Sequence, residues 1–109
     1  MRRIAEMSKL FVQAGKLVVL AMVSPYSKDR AYAAKIHQES NMDFLICHIS
    51  APLHVCEERD VEGLYKKARA GEIEMFNGVN EPYEEPVNPD LNVRTHELSV
   101  EESVELVLQ

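Results

Sequence analysis

An α/β fold built on a small parallel sheet is what this sequence predicts, and three observations predict it. The run LVVLAMV, Leu17–Val23, is continuous and rich in β-branched residues, as strands buried on both faces of a parallel sheet are. A second apolar run, DFLICHIS at Asp43–Ser50, follows a stretch with helical spacing. Helices of that length between strands imply right-handed crossovers, which join parallel strands.

Composition narrows the class. The 109 residues suit one domain, 1–109, and 46% apolar with 28% charged residues is ordinary globular composition. A formal net charge of -6 argues against a general nucleic-acid binder. The longest apolar run is about a third of the ~20 residues that span a bilayer, so no membrane partner is expected. Arg2 and Arg3 lead into a helical pattern rather than a signal-peptide core. Two cysteines without a CxxC pair point to a reducing setting, and a soluble cytoplasmic protein is the expectation.

Taken in order, Arg2–Ala14 sets Ile4, Met7, Leu10, Phe11 and Ala14 at helical spacing, and Gly15 stands where a C-cap belongs. Ser24-Pro25 stops the first strand. Ligands of parallel sheets gather beyond the carboxyl ends of strands, so Ser24 is placed either for ligand contact or as a plain turn serine. Ser27 can cap a second helix, Lys28 to about Glu39, with Ala31, Ala34 and Ile36 inward. Pro52 suits the first turn of a third helix, with Leu53, Val55 and Cys56 for packing. Pro82, Pro86 and Pro89 make Asn80–Asp90 a loop, and Asn92–Thr95 reads as a short last strand. Ser99 and Glu102 form a capping box that opens a terminal helix, with Val100, Val104, Val107 and Leu108 inward. So few strands leave edges and faces uncovered, which another chain or a missing N-terminal part of the domain is expected to complete.

Cys56–Gly78 organises the functional reading. Arg59, Lys66, Lys67 and Arg69 fall within eleven residues, and Gly63, Gly71 and Gly78 punctuate the stretch. Cations between permissive glycines suit a mobile lid, about 62–78, that folds over an anionic ligand; a solvated helix face is the alternative. A phosphate-binding P-loop is absent from these residues. Gly15-Lys16 is the only Gly-Lys pair, Leu10 stands where the first glycine belongs, and Leu17 follows the lysine. Cys47, His48, His54 and Cys56 lie close in sequence, yet adjacent strand residues point to opposite faces, so no metal site is expected. Neither thiol has the basic setting of a nucleophile.

The pieces VSPYSKDR (Val23–Arg30), KIH (Lys35–His37), APLHVCEERDVEGLYKKARAGEI (Ala51–Ile73), FNG (Phe76–Gly78) and PYEEP (Pro82–Pro86) together closely resemble adenylyl-sulfate kinase. The opening Arg2–Phe11 resembles the helix after that family's substrate loop, so the match runs nearly end to end. The resemblance implies a three-layer, parallel-sheet P-loop nucleoside-kinase-like fold whose N-terminal part is missing here. It implies transfer of the ATP γ-phosphate to the 3′-hydroxyl of adenylyl sulfate, with Mg2+ accompanying ATP and its ligands outside this chain. A homodimer is implied, with ATP sulfurylase or the missing N-terminal segment as further partners. Val23 and Ser24 match the substrate pocket, and Ser24 also matches a phosphoserine position assigned by analogy in some bacterial members. Met75 and Phe76 match lid contacts with adenylyl sulfate. Arg59 matches an arginine lying against the adenine, with Thr95 to Leu98 on the purine's other face. Lys66, Lys67 and Arg69 match the lid over the phosphates.

Departures accompany the match. Glu62 stands where the family has a substrate-contacting lysine, and Asn77 and Asn80 replace a usual Thr and Asp. The P-loop and an Asp-Asn-Val-Arg motif would precede Met1. The alternative function is therefore a catalytically inactive nucleotide-binding or dimerisation module derived from the same fold.

Overall fold

The computed structural model describes residues 1–109 as two compact units, Met1–Leu45 and Ile46–Gln109. The first carries α1 (Arg2–Gln13) and α2 (Ser27–Gln38). The second carries β1 (Cys47–Ser50), α3 (Leu53–Arg59), α4 (Leu64–Arg69), β2 (Leu91–Arg94) and α5 (Val100–Leu108).

In the first unit α1 packs on α2 through small side chains. Ala5 and Ala33 are fully buried with Ile36, and Met1, Tyr32 and Phe44 close around them. A buried polar pair sits in the same contact. The His37 Nδ1 lies 2.7 Å from the Ala33 carbonyl, and Nε2 lies 3.2 Å from the Ser8 hydroxyl. A carbonyl only accepts, so Nδ1 carries the proton and Nε2 accepts from Ser8. The Phe44 ring lies 5.1 Å from the imidazole. Outside, the Tyr32 hydroxyl donates to Glu6 at 2.9 Å, and Arg2 lies over the Tyr32 ring. Asn41, at φ 57°, ends α2 in a left-handed turn, its amide donating to Gln38 and that of Met42 to His37.

Here the structure corrects the expected faces. The inner side of α2 is Arg30, Ala33, Ile36 and His37, rather than Ala31, Ala34 and Ile36. Polar Arg30 and His37 can face inward because each finds a backbone carbonyl there, Ser24 and Ala33, a possibility that counting apolar residues overlooks. On α1 the buried residues are Ala5 and Ser8, while Ile4, Met7, Leu10 and Phe11 stay exposed. Leu17–Val23 forms no strand; Leu17 is 94% and Val19 82% exposed. A strand exists through its ladder, and no segment of this chain pairs with that run.

The second unit is built on a two-stranded parallel sheet, with Cys47 opposite Leu91, His48 opposite Asn92, Ile49 opposite Val93 and Ser50 opposite Arg94. The pairing covers only the end of the expected Asp43–Ser50 strand and begins one residue before the expected Asn92. A side chain fixes one end of the ladder and a backbone bond the other. The Asp90 carboxylate accepts the Ile46 N–H at 2.7 Å, and the Ser50 carbonyl accepts the Thr95 N–H at 2.9 Å. Val93 is fully buried, whereas Ile49 on the same face remains 59% exposed. Helix α5 opens with the expected capping box: Ser99 Oγ accepts the Glu102 N–H at 3.1 Å, and Glu102 accepts the Ser99 N–H at 3.0 Å. Its expected inner residues Val100, Val104, Val107 and Leu108 are all exposed. Four-residue strands offer too little surface to cover a whole helix face.

Candidate functional site

Most of the candidate residues lie in the second unit. Arg59 ends α3, and its guanidinium donates to Thr95 twice, to Oγ1 at 3.1 Å and to the carbonyl at 2.9 Å. The Thr95 hydroxyl in turn donates to the Ser50 carbonyl at 3.2 Å. Arg59 and Thr95, which the resemblance sets on opposite faces of one purine, are bonded directly to each other here, and Leu98 follows in the bend before α5.

Helix α4 has no cap at its first residue, since Gly63, at φ 70°, offers no side chain. Asp60 serves instead. Its Oδ1 accepts the Tyr65 N–H at 2.9 Å and its Oδ2 the Lys66 N–H at 3.1 Å, satisfying two donors that a helix start leaves free. Of the cations on this helix, Arg69 is held by Glu57 at 2.6 Å, and that hydrogen bond and charge raise the Arg69 pKa further. Lys66 and Lys67 are exposed and make no ion pair, and neither does exposed Glu62.

Phe76 is fixed from several sides. Its N–H donates to Asn80 Oδ1, and its carbonyl accepts the N–H groups of Val79, Asn80 and Glu81 at 3.1 to 3.2 Å. The Asn80 amide nitrogen donates to the Ile73 carbonyl at 2.7 Å. The Tyr65 ring meets the Phe76 ring edge-on, with centroids 4.8 Å apart at 85°. Burial, with the Cys56 thiol beside it, pushes the Tyr65 hydroxyl above its ordinary pKa, so it stays protonated. Met75, at φ 54°, is 70% exposed and carries a left-handed backbone that disfavours side chains. Gly78 sits so close to α3 that an added Cβ would lie 3.1 Å from Leu53 Cδ1.

Val23 and Ser24 belong to the first unit. Ser24 has φ 44°, and buried Arg30 donates through Nη1 to its carbonyl, which holds the residue in that left-handed state. The Ser24 hydroxyl makes a weak 3.7 Å contact with Met1 Sδ. Sequence reasoning missed Glu57, Asp60 and Tyr65, and it noted Asn80 only as a departure from the family, not as a brace for Phe76. Asp60 had a signal, an Asx residue three positions before a glycine that opens a helical run; Tyr65 had none.

A cavity of about 390 Å³ opens on the polar face of the ladder, lined among others by His48, Ser50, Arg94, His96 and Glu85. Apart from His96, which lies within the Thr95–Leu98 stretch, it shares no residue with the candidate set. No three His, Cys, Asp or Glu side chains converge as a metal site would require. No helix is long and apolar enough to cross a membrane.

What the geometry assembles is a basic α3–α4 corner with two unneutralised lysines, and a Phe76 ring held against Tyr65 of the same corner. Comparison with known proteins gives this arrangement its family. The family model for adenylylsulphate kinase matches residues 1–94. An adenylyl-sulfate kinase of Prochlorococcus marinus is 50% identical over 107 residues, covering 98% of this chain and 52% of its own length. One from Penicillium chrysogenum is 40% identical over 113 residues, covering 98% and 54%. The structure of the Mycobacterium tuberculosis APS kinase CysC in complex with AMPPNP and APS superposes with a TM-score of 0.85 at 39% identity, over 97% of this chain and 61% of that one. The chain spans about half the length of the curated relatives it matches. The partial P-loop kinase fold expected from the sequence is borne out by these neighbours, and the chain belongs to the adenylylsulphate kinase family.

Proposed function

We propose that this chain serves adenylyl-sulfate kinase chemistry in sulfate activation, contributing the lid and the adenine side of the nucleotide site. In that reaction the 3′-oxygen of adenylyl sulfate bonds to the γ-phosphorus of ATP as the bond to the bridging oxygen breaks. ADP leaves, and the hydroxyl proton is lost to solvent or base. The observation that carries the reading is the pair of unneutralised lysines, Lys66 and Lys67, on a helix whose start is fixed beside the Arg59–Thr95 contact. Charge spread over phosphoryl oxygens is stabilised by cations held in place beforehand.

Within this reading Arg59, Thr95 and Leu98 flank the adenine, and Lys66, Lys67 and Arg69 answer the phosphates. In the second unit Met75 and Phe76 contact adenylyl sulfate and Glu62 weakens that contact by its charge; for Val23 and Ser24, in the first unit, substrate contact rests on the resemblance alone. In this reading Mg2+ comes bound to the ATP, whose phosphate charge it would help to neutralise. The Mycobacterium tuberculosis relative was solved with AMPPNP and APS, which supports ATP and adenylyl sulfate as the ligand pair. A homodimer, an association with ATP sulfurylase or a complementing N-terminal segment, and a cytoplasmic setting belong to the same proposal. Both cysteines are free thiols, as a reducing compartment requires.

A second reading, a non-catalytic nucleotide-binding or dimerisation module, is favoured by Glu62 and by the lack of a Gly-x-x-x-x-Gly-Lys-Ser/Thr run in these residues. Titration calorimetry with adenylyl sulfate and, separately, with magnesium AMPPNP tests the proposal. Binding of both, weakened when Lys66 and Lys67 are replaced by Ala, is expected; binding of neither would refute it.

A further inference from the structure

We infer that Tyr65 is a positioning residue for adenylyl sulfate, acting through Phe76 by fixing that ring to the lysine-bearing helix α4. The inference rests on the functional reading above, in which Phe76 meets the substrate. Tyr65 and Lys66 are neighbours on α4, and successive helical residues point about 100° apart. Tyr65 therefore turns inward and is half-buried while Lys66 and Lys67 face solvent.

Both ends of the link are held independently. On the helix side, the Asp60 carboxylate takes the N–H of Tyr65 itself, so the ring's own backbone is anchored. On the loop side, Asn80 ties the Phe76 N–H and the Ile73 carbonyl together, and three further N–H groups converge on the Phe76 carbonyl. These bonds fix where the Phe76 backbone lies. The perpendicular contact with the Tyr65 ring fixes how the Phe76 ring faces, at 4.8 Å and 85°. A ring held this way and two lysines one and two residues along the helix keep one mutual geometry. That geometry suits a ligand with an aromatic base or ribose at one end and an anionic anhydride at the other. Edge contact uses ring hydrogens rather than the hydroxyl, so Tyr65→Phe is expected to preserve it.

The test is a double-mutant cycle on the 109-residue chain, with Tyr65→Leu, Phe76→Leu and the pair, titrated with adenylyl sulfate and with magnesium AMPPNP. Tyr65→Leu is expected to weaken adenylyl sulfate by about three- to tenfold, the scale of one aromatic pair, and AMPPNP by less than about twofold. Tyr65→Phe should match the unaltered chain. In the Phe76→Leu background, Tyr65→Leu should cost nothing more, which a merely structural role would not produce. Hydrogen exchange at the β1 and β2 amides verifies folding, and Tyr65→Met, which fills the same space, replaces Tyr65→Leu if the latter unfolds. Undiminished adenylyl sulfate affinity in Tyr65→Leu, or an equal loss of both ligands, overturns the role alone. Failure of the unaltered chain to bind adenylyl sulfate overturns the functional reading, and this role with it.

Discussion

The Arg59 guanidinium donates to both the hydroxyl and the carbonyl of Thr95, joining the end of α3 to the end of β2 across 36 residues of sequence. A planar fork can meet two acceptors at once where an ammonium cannot. Arg59→Lys is therefore expected to keep the charge yet loosen the contact. Because the bonds are exposed, the stability cost should stay below ~1 kcal/mol, while affinity for an ATP analogue falls about tenfold. Urea unfolding and calorimetry on the same variant separate the two effects. An unchanged affinity would remove Arg59 from the nucleotide site.

Ser8 and His37 give a stability test without ligands. Ser8→Ala leaves the buried Nε2 of His37 with no donor, and an unsatisfied buried acceptor costs about 1–3 kcal/mol. Equilibrium denaturation should show that loss. A cost near zero would mean that His37 finds another partner.

These faces show what the sequence could and could not reveal. The capping box at Ser99 and the helical spacing of α1 and α2 are local properties, and they were legible. Leu17–Val23 carries every local mark of a buried strand, but strand character comes from a neighbour, and none lies within these residues. The site divides similarly. Basic residues between glycines were visible along the chain, whereas the Arg59–Thr95 and Tyr65–Phe76 contacts arise only when distant segments meet. The segment expected to be the most mobile also holds a short helix with braces from Asp60, Glu57 and Asn80. Burial of Arg30 and His37 was hidden for another reason, since polar residues fit an interior only through bonds that sequence spacing does not display.

Glu102 supplies a pH dependence. Its carboxylate accepts the Ser99 N–H, and that bond, followed by the Ser99 side-chain bond, lowers its pKa below the ordinary Glu value. A depressed folded-state pKa gives stability that is present above the unfolded value and lost as pH falls through the folded one. The start of α5 should thus fray in acid below the usual Glu range. Carboxyl NMR should show a lowered Glu102 pKa that Ser99→Ala, which keeps the backbone N–H, raises only in part; an ordinary Glu102 pKa in the unaltered chain would contradict the capping assignment.

Glu62 is exposed and makes no ion pair, so nothing compensates its charge beside an anionic ligand. Glu62→Lys replaces repulsion with attraction, worth roughly 1–3 kcal/mol for a ligand-facing position. Adenylyl sulfate should bind about one to two decades more tightly, and ATP less so. Equal effects of Glu62→Lys and Glu62→Gln on both ligands would place residue 62 outside the site.

The central claim, that residues 59–76 hold one side of an adenylyl-sulfate kinase site, is tested most directly by residue-resolved NMR titration. Adenylyl sulfate is added to the isotopically labelled 109-residue chain. Saturable shifts centred on the Lys66, Lys67, Met75 and Phe76 amides, with Arg59 and Thr95 responding instead to magnesium AMPPNP, are the predicted result. Saturable binding that shifts His48, Arg94 and His96 around the ladder cavity while leaving Phe76 unmoved would contradict it.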